Sequence, residues 1–223
     1  KGMTNMVKLS NPKAQVMALF PTPLYVTNYD GDTTEIVKYF NSQEFNSATP
    51  GYGHISKNSY IIDNPICKDL ADWIKNCMRD YATNVMRYRY EDLVFTQSWL
   101  TLKTKNMVHK AHTHPNTLIS SVFYYEMQYG HPPICFSKKV DAVGRSYIEP
   151  SLEDDYQNHI FSQEEYYYSP QQNDLIIFPS YFSHGVPPNT VENPRKSLGV
   201  NALPKGKIGD EETISGLIYS RYV

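Results

Sequence analysis

The sequence predicts a mainly β chain with supporting α-helices, and three observations predict it. From residue 93 onward, short runs rich in β-branched and aromatic residues follow one another, punctuated by proline and glycine, with no helical pattern between them. Before residue 93 stands one long stretch whose apolar residues recur at spacings of three and four, the mark of an amphipathic helix. Composition agrees with both: 19 of the 223 residues are Tyr and aromatics make up 13%, which favours strands and polar-tipped aromatic surfaces over Ala/Leu/Glu/Lys helices. Many short strands without intervening helices build an antiparallel sandwich or barrel rather than a βαβ sheet.

Taken in order, residues 17–26 (MALFPTPLYV) read as an opening strand, which its two prolines confine to an edge or an irregular path. A short helix is expected over 33–40. The clearest helix starts at Asn64, a good N-cap, with Pro65 at the first helical position, where a missing N–H costs nothing. Its apolar face runs Ile66, Leu70, Trp73, Ile74, Cys77, Tyr81, Val85 and Tyr88, and packs on a sheet; Cys77 reads as core. Strands are then expected over 93–104, 117–126, 133–136, 174–178, 197–203 and 213–219. Between 127 and 173 the pattern weakens. Connections that long are commonly lids or insertions, so this stretch, with Tyr166, Tyr167 and Tyr168 in it, is the candidate substrate-facing lid. The whole chain, 1–223, reads as a single domain, with a strand and supporting helices over 1–92 and a β core over 93–223 carrying a 127–173 insertion.

Several function classes drop out on composition. Lys plus Arg is 21 against 23 for Asp plus Glu, a formal net charge of −2, so no basic excess points to nucleic acid or an anionic membrane. No run approaches the roughly 18 apolar residues of a membrane helix, and the first residues lack the apolar core of a signal peptide. Three cysteines, Cys67, Cys77 and Cys135, show no CxxC spacing. That argues against a disulfide framework and for a reducing compartment, with cytoplasm the default.

Chemistry concentrates in the histidines. Of seven, three crowd into VHKAHTHPN at 108–116. On an extended segment His112 and His114 point to one face, roughly 6.6 Å apart, close enough to converge on one metal whose nitrogen ligands stand at about 2.0–2.1 Å. HxH alone is also what an ordinary solvated strand end shows. A second signal sits 70 residues on, where His184 follows the apolar run DLIIFP and precedes a Gly and two prolines, as at a turn leaving a barrel rim. Eleven residues later comes Arg195, in RKSLGVN. By the period-two rule Arg195, Ser197, Gly199 and Asn201 share one face, and a guanidinium beside a metal receives a carboxylate bidentately. Alone, Arg195 also reads as an exposed strand charge. His109, His131 and His159 have no assigned partner and read as surface histidines.

The order HxH, long gap, His, then Arg-x-Ser resembles the Fe(II)- and 2-oxoglutarate-dependent oxygenases, most closely a branch with an HxHP motif followed by a Ser- and Tyr-rich strand. The residues that carry the resemblance are HTHPNTLISSVFYYE (112–126), NDLIIFPSYFSHGVPPN (173–189) and RKSLGVN (195–201), with LFPTPLYV upstream. The resemblance implies a double-stranded β-helix, the jelly-roll or cupin-like barrel, supported by the helix after Asn64. It implies His112 and His184 as metal ligands, Arg195 as partner of the distal carboxylate of 2-oxoglutarate, Ser197 as its assistant, and Asn201, Asn116 and Tyr124 as further co-substrate contacts. His114 stands where most of these oxygenases carry a carboxylate: the candidate ligand set is His112, His114 and His184, and if His114 turns away only two protein ligands remain. The implied activity is a dioxygenase hydroxylating a C–H bond of a small-molecule or peptide substrate, with Fe(II) as cofactor, 2-oxoglutarate as co-substrate, and succinate and CO2 as co-products. No nucleic-acid or membrane partner is expected; a homodimer is left open.

Three rivals stand beside it. Three histidines suit a zinc hydrolase or hydratase with an open water position, but leave the Arg195 strand without a purpose. A cupin-type metal protein wants a Glu four or five residues after the second His, where Leu118 and Ile119 stand. The last rival is a non-catalytic β-sandwich binding module with incidental histidines. Metal content after purification separates the readings: iron, zinc or none.

Overall fold

A computed structural model describes residues 10–138, 153–155, 160–161, 163–209, 212 and 215–219. Eleven strands and two α-helices run β1 Tyr25–Asn28, α1 Thr34–Asn41, β2 His54–Ile55, α2 Lys68–Asp80, β3 Asp92–Lys103, β4 His109–His112, β5 Ile119–Glu126, β6 Ile134–Ser137, β7 Glu165–Tyr168, β8 Asp174–Pro179, β9 Ser183–Val186, β10 Arg195–Ile208 and β11 Leu217–Tyr219. They form two antiparallel sheets. The larger runs β1-β8-β5-β10-β3-β2, with β11 on the end of β10; the smaller runs β4-β9-β6-β7.

Helix α2 forms much as its sequence asks. The Asn64 side chain accepts a hydrogen bond from the Ile66 N–H at 3.0 Å, Pro65 opens a 3-10 turn through Cys67, and the α-helix follows. Leu70, Ile74, Cys77 and Met78 are buried. The helical path continues past Asp80 as a wider π turn, Tyr81–Val85, which keeps Tyr81 in the core with its hydroxyl on the Pro23 carbonyl. The expected apolar face is corrected at both ends, since Ile66 and Val85 are exposed. Asp92, where β3 begins, ties the helix to the sheet through Lys75 and Arg79. Burial alone would raise its carboxyl, but these cations and the Leu93 N–H outweigh that and hold it at about 2.

The larger sheet has two buried faces of different character. Toward the helices, Phe123, Tyr125, Leu175, Ile177, Leu198 and Val200 join Ile36, Phe40, Leu70, Ile74 and Tyr81 in the main core. Toward the smaller sheet, Ile176, Phe178 and Tyr124 pack on Ile134 and Phe136. The rest of that inner face mixes polar residues such as Thr101, Ser120 and Ser197 with Val122 and Trp99. Buried strands whose alternate side chains meet different partners explain why β5, β8 and β10 read as nearly continuous apolar or small-residue runs.

Expected strands at 93–104, 117–126, 133–136 and 174–178 fall within a few residues of β3, β5, β6 and β8, and the helix at 33–40 becomes α1. Several boundaries are corrected. The opening strand holds only from Tyr25, because Pro21 and Pro23 cannot donate to a ladder. β10 runs on to Ile208, and β11 covers only the end of 213–219. β2, β4, β7 and β9 lack a sequence expectation of their own; each is four residues or fewer, too short for a period to declare itself. The described part of 127–173 is also corrected. It supplies β6 and β7, and Tyr166 and Tyr167 lie exposed on an edge strand, so these residues form a sheet edge rather than a cover. No helix among the described residues is long and apolar enough to cross a membrane.

Candidate metal centre and anion cavity

β4 and β9 pair so that His112 lies directly opposite His184, and their ring centroids stand 4.4 Å apart. The close approach of these strands needs Gly185: a Cβ there would meet the His109 carbonyl oxygen at 2.7 Å and the Ala111 nitrogen at 3.1 Å, inside van der Waals contact. His114 arrives by another route. β4 ends at His112, and two residues on, ahead of the turn at 115–116, the His114 N–H donates to the Ser180 carbonyl at 2.9 Å. The two rings of HxH thus stack with centroids 5.1 Å apart, on one side of the chain as expected, although the second lies two residues past the end of the strand.

The hydrogen bonds settle which ring nitrogen each histidine offers. Nδ1 of His112 faces the Lys110 carbonyl at 2.9 Å, and Nδ1 of His184 faces the Phe182 carbonyl at 3.0 Å. Carbonyls only accept, so both Nδ1 atoms carry the hydrogen and both Nε2 atoms keep a lone pair. Nδ1 of His114 lies 2.8 Å from Asn201 Oδ1 and 2.9 Å from the Ser120 hydroxyl. Ser120 donates in turn to the same Asn201 oxygen at 2.9 Å and contacts the Ser180 hydroxyl at 2.8 Å. With that oxygen as acceptor, His114 too presents Nε2. The Nε2 atoms of His112 and His114 are 3.2 Å apart, and one ring nitrogen from each of the three histidines lies within 4.8 Å of the others. Facing lone pairs repel unless a cation sits among them. Two nitrogens at about 2.1 Å from one ion and at right angles across it would be about 3 Å apart, so the donor set fits a divalent metal on one triangular face.

Burial keeps these rings neutral. It pushes His184 down to about 3, with His112 and His114 adding to the effect, and lowers His114 to about 4, against the Asn201 hydrogen bond that raises it. His109, expected at the surface, is instead stacked on His112 with centroids 4.4 Å apart and planes 10° from parallel. Burial, then nearby Lys103, lowers it strongly. His131 is also no free surface group, since its ring lies between the Gln128 N–H and the Asn193 carbonyl. His159 lies outside the described residues.

Behind the histidines a narrow cavity of about 40 Å³ runs between the sheets, lined in part by Thr101, Lys103, Tyr124, Arg195 and Ser197. That is room for about three waters, enough for the far end of an elongated ligand whose near end stays at the imidazoles. Arg195 is 2% exposed. Its Nε donates to the Pro132 carbonyl at 3.2 Å and its guanidinium carbon sits 5.0 Å from the Tyr124 ring centre, while its Nη2 and the Tyr124 hydroxyl are buried without a hydrogen-bond partner. Ser197 and Thr101 join hydroxyls at 2.8 Å. A buried cation beside two unsatisfied polar groups is costly to leave empty, so this end of the cavity fits a carboxylate. Gly199 keeps the passage open: it pairs with Trp99 across β10 and β3, and a Cβ would stand 2.6 Å from the indole.

On the solvent side lies a wider cleft of about 690 Å³, lined by Tyr52, Ser59, Tyr60, Gln97, Trp99 and Asn116 among others. Asn116, at φ 57°, and Asn201 both border this cleft and not the inner cavity; Tyr124 is the one of the three tentative co-substrate contacts that lines the inner one. The wall supplied by Tyr52, Ser59 and Tyr60 went unread in the sequence, because loop residues carry no period.

Residues 97–201 match the family model described as "Putative 2OG-Fe(II) oxygenase". No curated protein matches the chain. Among solved structures it resembles a prolyl-4-hydroxylase from Pseudomonas putida, at 14% identity over 83% of this chain and 94% of that one with a TM-score of 0.55. It also resembles HygX from Streptomyces hygroscopicus, crystallised with nickel, 2-oxoglutarate and hygromycin B, at 12% identity over 82% and 83% of the two chains with a TM-score of 0.56. A third likeness is a 2OG-Fe(II) oxygenase family oxidoreductase from Burkholderia pseudomallei, at 11% identity over 75% and 76% with a TM-score of 0.52. At such identities these likenesses speak to the fold, the double-stranded β-helix of this enzyme class, and the residues matched by the family model run from β3 through the HxH segment to the Arg195 strand. Over that stretch, just under half of the chain, the sequence is similar to the 2OG-Fe(II) oxygenase family.

Proposed function

We propose that the protein is an Fe(II)- and 2-oxoglutarate-dependent dioxygenase that hydroxylates a C–H bond of a small-molecule or peptide substrate, with succinate and CO2 as co-products. One observation carries the reading: three imidazole lone pairs converge beside a buried guanidinium with an unpaired N–H and no carboxylate in its cavity. A zinc hydrolase would use the first of these features and leave the second without a role.

His112, His114 and His184 would hold the metal on one side, leaving its other side free for ligands. Asn201 and Ser120 hold the His114 ring in the tautomer that offers Nε2, as the Lys110 and Phe182 carbonyls do for the other two. Bound Fe(II) supplies the redox chemistry that couples oxidative decarboxylation of 2-oxoglutarate to hydroxylation. Arg195 receives the distal carboxylate, with the Tyr124 and Ser197 hydroxyls as further donors. Trp99 and the neighbouring apolar strand face screen the centre from water, and the outer cleft receives the substrate, with Asn116 at its edge. The three neutral ligands leave the metal's charge undiminished until the dianionic co-substrate arrives, so co-substrate should tighten metal binding, and metal the co-substrate.

The test is an anaerobic titration. Fe(II) protein mixed with 2-oxoglutarate should develop a visible charge-transfer band; His184→Ala should abolish it by losing iron, and Arg195→Ala should shift its midpoint to higher 2-oxoglutarate. A band unchanged in both variants would sink the site assignment, and purified protein holding zinc with no affinity for 2-oxoglutarate would favour the hydrolase.

A further inference from the structure

The anion cavity contains a second cation that the Arg-x-Ser pattern does not announce. Lys103 lies directly across the β3–β10 ladder from Arg195, and its side chain lines the same cavity. It is 1% exposed, against 2% for Arg195, although lysine is almost never fully buried unless paired. No Asp or Glu lines the cavity, and among the described residues Lys103 makes no ion pair.

Two buried basic groups facing each other without an anion oppose folding. Burial, and then the Arg195 guanidinium, push the Lys103 ammonium well below its usual range, which registers that strain. The remaining titratable groups around the cavity, His109, His112, His114, His184 and Tyr124, provide no standing negative charge at neutral pH. A carboxylate, by contrast, accepts about four hydrogen bonds on its two oxygens. Arg195 Nη2 and the Tyr124 hydroxyl are unsatisfied donors there, and an ammonium on the opposite strand adds a third of the kind that binds carboxylates most strongly.

We propose that Lys103 is a second co-substrate-binding residue, which together with Arg195 grips the distal carboxylate of 2-oxoglutarate and makes the cavity selective for a 2-oxo diacid over chelators that lack that group. This rests on the reading of the site as a 2-oxoglutarate pocket. It places one cation on each of two neighbouring strands, so that a monodentate point charge and a planar fork meet the same group from different sides.

The test uses the anaerobic Fe(II) protein and two variants that remove the charge at similar length, Lys103→Met and Lys103→Gln, so that a folding failure in one leaves the other. Affinities for 2-oxoglutarate and for oxalate, which chelates metal but has nothing to send into the cavity, are measured together with the melting temperature of the ligand-free protein. The Kd for 2-oxoglutarate is expected to rise at least 10-fold in either variant, that for oxalate to stay within about 2-fold, and the ligand-free melting temperature to hold or rise because an uncompensated cation has gone. Unchanged 2-oxoglutarate affinity, or an equal loss for both ligands, overturns the role of Lys103 while leaving the pocket in place. Failure of the unaltered protein to bind 2-oxoglutarate at all overturns the pocket itself, a separate result.

Discussion

The two faces of the larger sheet carry opposite chemistry on the same strands. In β10, Leu198, Val200 and Ala202 face the helices and belong to the main core, while Arg195, Ser197 and Gly199 border the inner cavity. In β5, Phe123 and Tyr125 face the helices, while Ser120 braces His114 and Tyr124 lies under Arg195. Both faces are buried, yet one gains stability from burial and the other gives some up to hold cations and unpaired donors. Because side chains alternate, a single rigid scaffold serves both ends without sharing residues. Mutations on the two faces should therefore separate stability from ligand binding.

The largest expected effect is on the inner face. His184→Ala removes one of three converging nitrogens and should lower affinity for Fe(II), or for Co(II) as a spectroscopic stand-in, by roughly 100-fold or more, since changes merely behind a metal ligand already cost about 10–100-fold. The melting temperature of the metal-free protein should scarcely move. A variant that loses stability while keeping its metal would break the comparison.

Phe123→Ala is the mirror experiment. Phe123 is fully buried against Trp73 and Tyr29, and its removal should cost about 3–5 kcal/mol in denaturant unfolding, with the 2-oxoglutarate affinity of the remaining folded protein unchanged. A smaller effect is expected at Asn201. Asn201→Leu removes the acceptor that holds the His114 tautomer and should weaken metal binding about 10-fold, visible in a chelator competition, with little change in 2-oxoglutarate affinity at saturating metal.

The smallest effect is in pH. His184 is held near 3 and His114 near 4 in the folded protein by burial, while unfolded histidine titrates near 6.5. Below about 6.5 the unfolded chain binds protons that the folded chain does not, so stability falls as pH drops. The slope is up to about 1.4 kcal/mol per pH unit for His184, levelling off as the folded pKa is reached. Melting curves of the metal-free protein at pH 7, 6 and 5 should show this decline, and His184→Ala should make it shallower without abolishing it, since His109, His112 and His114 are also lowered by burial. A melting temperature that rises toward pH 5 would contradict the burial of these rings.

Much of this was legible in order along the chain. The helix after Asn64 announces itself by its cap, its proline and its spacing, and β3, β5, β6 and β8 by β-branched and aromatic density. The meeting of HxH with a distant His was readable as a motif, and Arg195, Ser197 and Gly199 followed from strict alternation. His109 and Lys103 were not legible. A histidine and a lysine look like surface residues in any sequence window, and only the fold stacks the first on His112 and, through the pairing of β3 with β10, removes the second from water.

By itself, then, the sequence determined which residues are neighbours at short range and which side of a strand each occupies, because backbone geometry repeats every two or 3.6 residues. The tertiary structure alone decided the rest: that His114 joins His112 and His184 from beyond the end of β4, that three Nε2 lone pairs face one another, that Tyr52, Ser59 and Tyr60 wall the outer cleft and that two cations share a cavity without a carboxylate. Those are consequences of strand register and sheet packing, which depend on contacts between residues far apart in the chain and leave no periodic trace in it.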